Sequence, residues 1–386
     1  MDPRRSQRLL AAAALVPLCL LAACGGGGGA NRDSGEILVG HYGSMTGSEA
    51  TFGQSTDQGI ALAIDEINAA GGINGRMLRI LTYDTQGKSQ EAGNCVTRLI
   101  NNDRVTALLG EVASSLSIAG GRIAQQYGVP MITPSSTNAE VTKIGDRIFR
   151  VCFVDSFQGE AGATFARDSL HLSKAAVLYD QGAAYSAGLK DDFRRAFEAL
   201  GGTVTTQQAY TGGDQDYSAQ LTTIRASEPE VLYVPGYYTD VGNIALQARK
   251  LGISIPLLGG DGWDSSQLSA IAGPAIEGSY YTNHYSPDEE RPAVKVFVTK
   301  YNEKFHRTPD GLAALGYDAA RILADAMKRA KSLDGADLSA AIAATKDFPG
   351  VTGIITIDEN RNARKPAVVV QMRNGRPAFV VAIQPR

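Results

Sequence analysis

Two kinds of hydrophobic spacing alternate along the chain. Glu36-Ile37-Leu38-Val39-Gly40 is a β-rich run that ends in a Gly/Ser/Thr turn through Gly47. Ile60, Ile64 and Ile67 then recur at i, i+4 and i+7, one face of a helix that Gly71-Gly72 stops. The same alternation predicts strands over 77–83, 105–109 and 130–133, with helices over 90–101 and 116–127. A second series predicts strands over 148–153, 175–179, 204–210, 231–235 and 256–259, with helices over 158–170, 189–200 and between the later strands. Leu315, Ala319, Ile322, Leu323, Ala326, Met327 and Ala330 fit one long amphipathic helix. The tail returns to strand over 353–357, 367–372 and 378–383. Strand followed by helix, repeated, implies parallel sheets covered on both faces. The fold class is therefore α/β, in two units that the tail must rejoin.

The N-terminus has a different pattern. Arg4, Arg5 and Arg8 precede an apolar stretch from Leu9 to Ala23, too short for the roughly 20 residues of a bilayer span. Basic residues, a short apolar core and small residues at its end make a secretory signal peptide over 1–23. Leu21-Ala22-Ala23-Cys24 resembles a bacterial lipobox, which implies cleavage before Cys24 and lipidation of its thiol. Residues 24–35, rich in Gly, read as a flexible tether. Cleavage leaves 34 basic against 39 acidic residues, a net charge of −5, and no basic run that would suit nucleic acid. An oxidising compartment allows a Cys95–Cys152 disulfide, and two buried free thiols fit equally well.

Enzyme motifs are absent. Gly87-Lys88-Ser89 invites a phosphate-loop reading, but Thr82 stands where the motif needs its first Gly. There is no G-x-S-x-G elbow and no H-E-x-x-H, and His41, His171, His284 and His306 lack metal-ligand spacing. No cofactor, metal or catalytic residue is expected.

What remains is a chemical bias at strand ends, where parallel α/β sheets bind ligands. Ser114 and Ser115 follow one strand, Ser135, Ser136 and Thr137 another, Asp180 and Tyr185 a third, Tyr237 a fourth, and Asp261 and Trp263 a fifth. Hydroxyls and free N–H groups at a helix start suit a carboxylate. An acid suits an ammonium, and aromatics suit an apolar side chain. Together they suit a zwitterionic amino acid. Taken singly, Ser114, Ser135 and Thr137 could equally cap helices, and capping is the lesser alternative for Asp261.

Gly43-Ser44-Met45-Thr46-Gly47, the Asn68–Gly75 segment, Ile132–Thr137 and Gly236-Tyr237 stand in an order that resembles the branched-chain amino-acid (leucine/isoleucine/valine) binding proteins of ABC transporters, of the periplasmic binding protein type I family. The resemblance runs from Ile37 to about Val381. It implies two α/β lobes joined by three hinge crossings, near 151–153, 282–283 and 358–360, with lobe 1 over 36–152 and 283–358 and lobe 2 over 153–282 and 359–386. Residue by residue, it implies that Ser114 and Thr137 hold the ligand carboxylate and that Ser136 belongs to the same site. Ser135, through its carbonyl, and Asp261 would hold the ammonium; Tyr185 and Tyr237 would close over the ligand and Phe52 would line the pocket. Asp261 replaces a Glu of the leucine binder and Phe52 a Tyr, and Trp263 is placed to narrow the side-chain pocket. The function so implied is that of an extracytoplasmic solute-binding lipoprotein, a monomer held by its lipid on the periplasmic or extracellular face of a bacterial membrane. It would deliver an aliphatic amino acid to an ABC permease and its ATPase subunits. The alternatives are a sensory ligand-binding protein of the same fold, needing a separate partner because no signalling segment follows Arg386, and a binder of another small carboxylate or amide. A secreted hydrolase or amidase would need a nucleophile motif that is missing.

Overall fold

The computed structural model describes residues 35–385. The signal peptide, Cys24 and all but the last residue of the tether lie outside the described residues. From the start, β1 (Ile37–Gly43), α1 (Ala50–Ala69), β2 (Leu78–Asp84), α2 (Ser89–Asn101), β3 (Ala107–Leu109), α3 (Ser114–Tyr127) and β4 (Met131–Thr133) alternate as the hydrophobic pattern predicts; the short α4 (Glu140–Lys143) was not read from the sequence, and β5 (Ile148–Arg150), read as opening the second series, closes the first sheet. The strands form one parallel sheet in the order β2-β1-β3-β4-β5.

The chain then enters a second sheet through α5 (Asp155–Thr164). Next come β6 (Lys174–Asp180), α6 (Ala184–Ala199), β7 (Thr203–Tyr210), α7 (Ser218–Ala226), β8 (Val231–Val234), α8 (Tyr238–Lys250), β9 (Leu257–Gly259), α9 (Ser266–Ala272) and β10 (Tyr280–Asn283). It returns to the first lobe with α10 (Pro292–Phe305), α11 (Gly311–Arg329), α12 (Gly335–Ala343) and an antiparallel trio of β11 (Phe348–Gly350), β12 (Gly353–Ile357) and β13 (Ala363–Arg364). It ends in the second lobe as a hairpin of β14 (Ala367–Arg373) and β15 (Arg376–Ile383). The second sheet runs β15-β14-β10-β9-β8-β6-β7, parallel except for the hairpin, whose strands run antiparallel.

The chain thus passes between sheets at 151–154, 284–291 and 365–366. The third passage falls later than the expected 358–360, because Ala363 and Arg364 still pair with Ile357 and Thr356 of the first lobe. Strand β10 and helix α10 were not read from the sequence.

Each lobe has its own core. Helices α1 and α11 pack face to face over the first sheet, close enough that a methyl on Gly316 would lie 2.5 Å from the Thr56 carbonyl oxygen. The second lobe buries Trp263, Tyr233, Leu232, Ile244 and Val370. Cys95 and Cys152 are buried free thiols, so of the two readings of these cysteines the unpaired one holds. Among the described residues no helix is long and apolar enough to cross a membrane.

The lobes are shut against each other. Thr239 donates to the Ser48 carbonyl at 2.7 Å, Asn138 Nδ2 to the Ala184 carbonyl at 2.7 Å, and Thr51 and Ser265 share a hydroxyl bond of 2.9 Å. Asp264 of the second lobe accepts from the Gly311 N–H at the start of α11, 2.6 Å away, and from the Tyr281 hydroxyl at 3.0 Å. Burial, and then the neighbouring Asp310, push the Asp264 carboxyl up to about 7; Asp310, which caps α11 at Ala313 N, is raised as well, chiefly by burial. An acid raised on folding from an unfolded value of about 3.9 adds stability that is complete below that value and lost as pH rises through the folded one. Wild-type protein should therefore lose resistance to urea between about pH 4 and 7, and Asp264→Asn should lose less of it. Equal losses in the two proteins would show that this latch does not titrate.

Candidate ligand cleft between the lobes

Both sheets carry the same strand order, 2-1-3-4-5 in the first lobe and, counted from β6, the same again in the second. In such sheets the crevice opens at the carboxyl ends, where the order reverses. The expected residues sit there. Phe52 is in the first turn of α1, after β1; Ser114 begins α3, after β3; Ser135, Ser136 and Thr137 follow β4. Opposite them, Tyr185 follows β6, Tyr237 follows β8 and Asp261 follows β9.

Phe52, Val112, Ser135, Tyr185, Tyr237, Asp261, Gly262 and Leu312 line a shut cleft with a cavity of about 10 Å³. That is room for about one water molecule, so a solute enters only when the lobes part. Its walls are apolar and rigid. Tyr185 and Tyr237 stack at 5.3 Å with planes 7° apart, and Phe52 meets Tyr237 edge-on at 5.6 Å across the lobe boundary. The Tyr185 hydroxyl accepts from the Gly262 N–H at 3.1 Å, which fixes the ring from behind.

The polar groups divide into those already committed and those left free. Ser136 is committed: its hydroxyl lies 2.7 Å from Ser117 Oγ, 2.8 Å from the Val112 carbonyl and 2.9 Å from the Glu111 carbonyl. It braces the loop and does not line the cleft. Ser114 Oγ accepts the Asn138 N–H at 3.3 Å, and Ala113, which precedes α3, gives the helix no side-chain cap. Arg150, fully buried, donates to the Ser136 and Asn138 carbonyls at 2.7 and 2.8 Å and so holds the loop from beneath. Ser135 Oγ and Thr137 Oγ1 are buried without a hydrogen-bond partner among the described residues. Buried hydroxyls are nearly always paired, so two orphans in one loop mark a place where a partner is missing.

Asp155 was missed by sequence reasoning. It opens α5, its N–H donates to the Thr137 carbonyl at 2.9 Å, and both its carboxyl oxygens are buried without a partner. Thr137 Oγ1 stands beside that carboxyl without completing a bond. Burial, and then the charge of Asp261, hold the Asp155 carboxyl well above the ordinary range. An acid as the first residue of a helix is common, which is why its position alone gave no signal. Asp261, by contrast, is supported: Gln158 Nε2 donates to Oδ1 at 2.8 Å and His284 Nε2 lies 3.0 Å from Oδ2. A cation close to Asp155 would offset the repulsion it feels from Asp261.

Two further differences from the sequence reading follow from packing. Trp263 turns away from the cleft: its indole donates to the Val234 carbonyl at 2.9 Å and lies against Gly259 in the second-lobe core. Val112 and Leu312 supply the apolar wall instead. His284, for which the sequence offered no ligand role, is a buried partner of Asp261.

Residues 36–377 match the family described as Periplasmic binding protein. The chain is 39% identical to the leucine-binding protein LivK of Thermotoga maritima, whose crystal structure superposes with a TM-score of 0.87 over 90% of this chain and 99% of that one. It is 32% identical to the branched-chain amino acid transporter substrate-binding protein LivJ of Streptococcus pneumoniae, solved with isoleucine, with a TM-score of 0.86 over 91% and 100% of the two chains. A Leu/Ile/Val-binding protein homolog of Brucella suis is 29% identical over 337 residues, 87% of this chain and 90% of that protein. With the two-lobe α/β architecture, the shared strand order and a match that spans nearly all of the described chain, the protein belongs to the periplasmic binding protein family, in its type I arrangement.

Proposed function

We propose that the cleft captures an α-amino acid with an uncharged aliphatic side chain, of the leucine, isoleucine or valine kind. The observation that carries this reading is a hydroxyl and an acid in the wall of one small apolar cleft, Ser135 and Asp261, with a second such pair, Thr137 and Asp155, buried outside that lining. Ser135 and Thr137 stand on the first lobe, Asp155 and Asp261 on the second, and no Lys or Arg is among the cleft-lining residues. The ligand carboxylate is met by the hydroxyls and by the uncapped start of α3; the ammonium is met by the acids. Phe52, Val112, Leu312 and the two tyrosines take the side chain. A solute with a carboxylate and no cation would set its charge against Asp155 and Asp261. The relatives named for leucine, isoleucine and valine point the same way.

In this reading the protein is the substrate-binding component of an ABC importer, tethered by a lipidated Cys24 outside the membrane, and it hands its ligand to a permease. A ligand that touches both lobes binds the shut form better than the open one and shifts the population toward it. Calorimetric titration with single amino acids tests the assignment. Leucine, isoleucine or valine should bind more tightly than aspartate or lysine; a charged amino acid as the tightest ligand, or no amino acid binding at all, would contradict it.

A further inference from the structure

We propose that His284 is a positioning residue for the ligand's ammonium group, acting from the hinge through Asp261. The inference rests on the reading of Asp261 as an ammonium partner. His284 follows the last residue of β10 and so opens the second passage between lobes. Its ring stacks on Phe153 of the first passage, centroids 3.7 Å apart and planes 25° apart. Lys365 of the third passage lines the same hinge cavity as His284. All three passages therefore meet around one imidazole, and that imidazole holds the acid of the cleft.

The chemistry of the contact matters as much as its place. Asp261 Oδ2 can only accept from His284 Nε2, so the proton is on Nε2, and Nδ1 is buried with no partner among the described residues. Burial holds the imidazole down to about 4, against the pull of Asp261, so the ring is neutral near pH 7. The other donor to Asp261 is the amide of Gln158, also neutral, which bridges at the same time to Thr282 Oγ1 at 3.1 Å. Asp261 is thus aimed by two donors that carry no charge. An Arg or Lys in either place would orient it equally and cancel the charge the ammonium needs. A carboxylate has about four acceptor sites, so two remain after these bonds.

Two variants separate this role from simple packing. His284→Phe keeps a ring against Phe153 and removes the donor; His284→Gln restores a donor. With leucine as the probe, at pH 7, His284→Phe should weaken binding tenfold or more and His284→Gln should recover most of that loss. In an Asp261→Ala background, His284→Phe should change affinity less than twofold, because the group it acts through is gone. Binding by His284→Phe as tight as wild type, or the same loss in both backgrounds, would overturn the proposal. If His284→Phe does not fold, nitrogen NMR of wild type decides: the ring should show a neutral Nε2–H tautomer whose Nε2 signal moves when leucine binds. A charged ring, or no movement at saturation, would overturn it. Wild-type protein that binds no amino acid would instead overturn the reading of the cleft on which the proposal stands.

Discussion

Asp155→Leu should stabilise the free protein and cost it its ligand. Both oxygens of Asp155 are buried without a partner, and burial makes its ionisation unfavourable. An unsatisfied buried polar group costs about 1–3 kcal/mol, and an apolar group of the same branched shape removes that cost. Urea unfolding of the ligand-free variant should therefore shift to higher midpoints by an amount in that range. The same change removes a charged partner of the ammonium. Loss of one member of a buried charge pair costs about 2–5 kcal/mol, which is roughly 30-fold to more than a thousandfold in affinity. The two effects have opposite signs, so they cannot both come from general damage to the fold. A variant that is less stable and binds leucine as wild type does would show that Asp155 has a structural role only.

Gly59→Ala should be among the most damaging methyl additions to the described residues. Helices α1 and α11 touch backbone to backbone there, and a methyl on Gly59 would overlap the Ala313 carbonyl oxygen. That oxygen belongs to a helix buried along most of its length and cannot rotate away. Overpacking of a tight core costs about 1–3 kcal/mol and more where the neighbour is fixed, so we expect the upper end or beyond. Gly93→Ala is the control: in α2 the added methyl would meet only the flexible Ile123 Cδ1, at 3.3 Å. There the gain in helix propensity, about 0.5–1 kcal/mol, should leave stability unchanged or raised. Equal urea midpoints for the two variants would contradict this account of the α1–α11 contact. The contact also reaches the cleft, since α11 carries Leu312 into its wall and Gly311 to the Asp264 latch.

The strand and helix order was legible because each element carries its own period, and one face of most helices is buried. Topology then placed the chemistry: once both sheets were read as parallel, Ser114, Ser135, Thr137, Tyr185, Tyr237 and Asp261 had to lie at carboxyl ends. What the sequence could not show is which polar side chain spends its bonds within the protein. Ser135 and Ser136 are adjacent and chemically alike. Ser136 is consumed by Ser117, Val112 and Glu111, 19 to 25 residues upstream, while Ser135 is left free. Asp155 stayed hidden for the converse reason, since its importance comes from a partner it lacks. Trp263 misled because a short helical turn at 261–263 sends neighbouring side chains to opposite sides, Asp261 to the cleft and Trp263 to the core. The third passage moved because β13, two residues long, is too short to give any period.

The central claim is that both charged ends of an amino acid are recognised at once, the carboxylate by the first lobe and the ammonium by the second. Calorimetry with leucine, 4-methylpentanoate and 3-methylbutylamine tests it directly, because the latter two keep the side chain and each drop one charged end. The account predicts that leucine binds at least about 30-fold more tightly than either analogue, as the loss of one buried charge partner requires. Binding of 4-methylpentanoate or 3-methylbutylamine as tightly as leucine would contradict it.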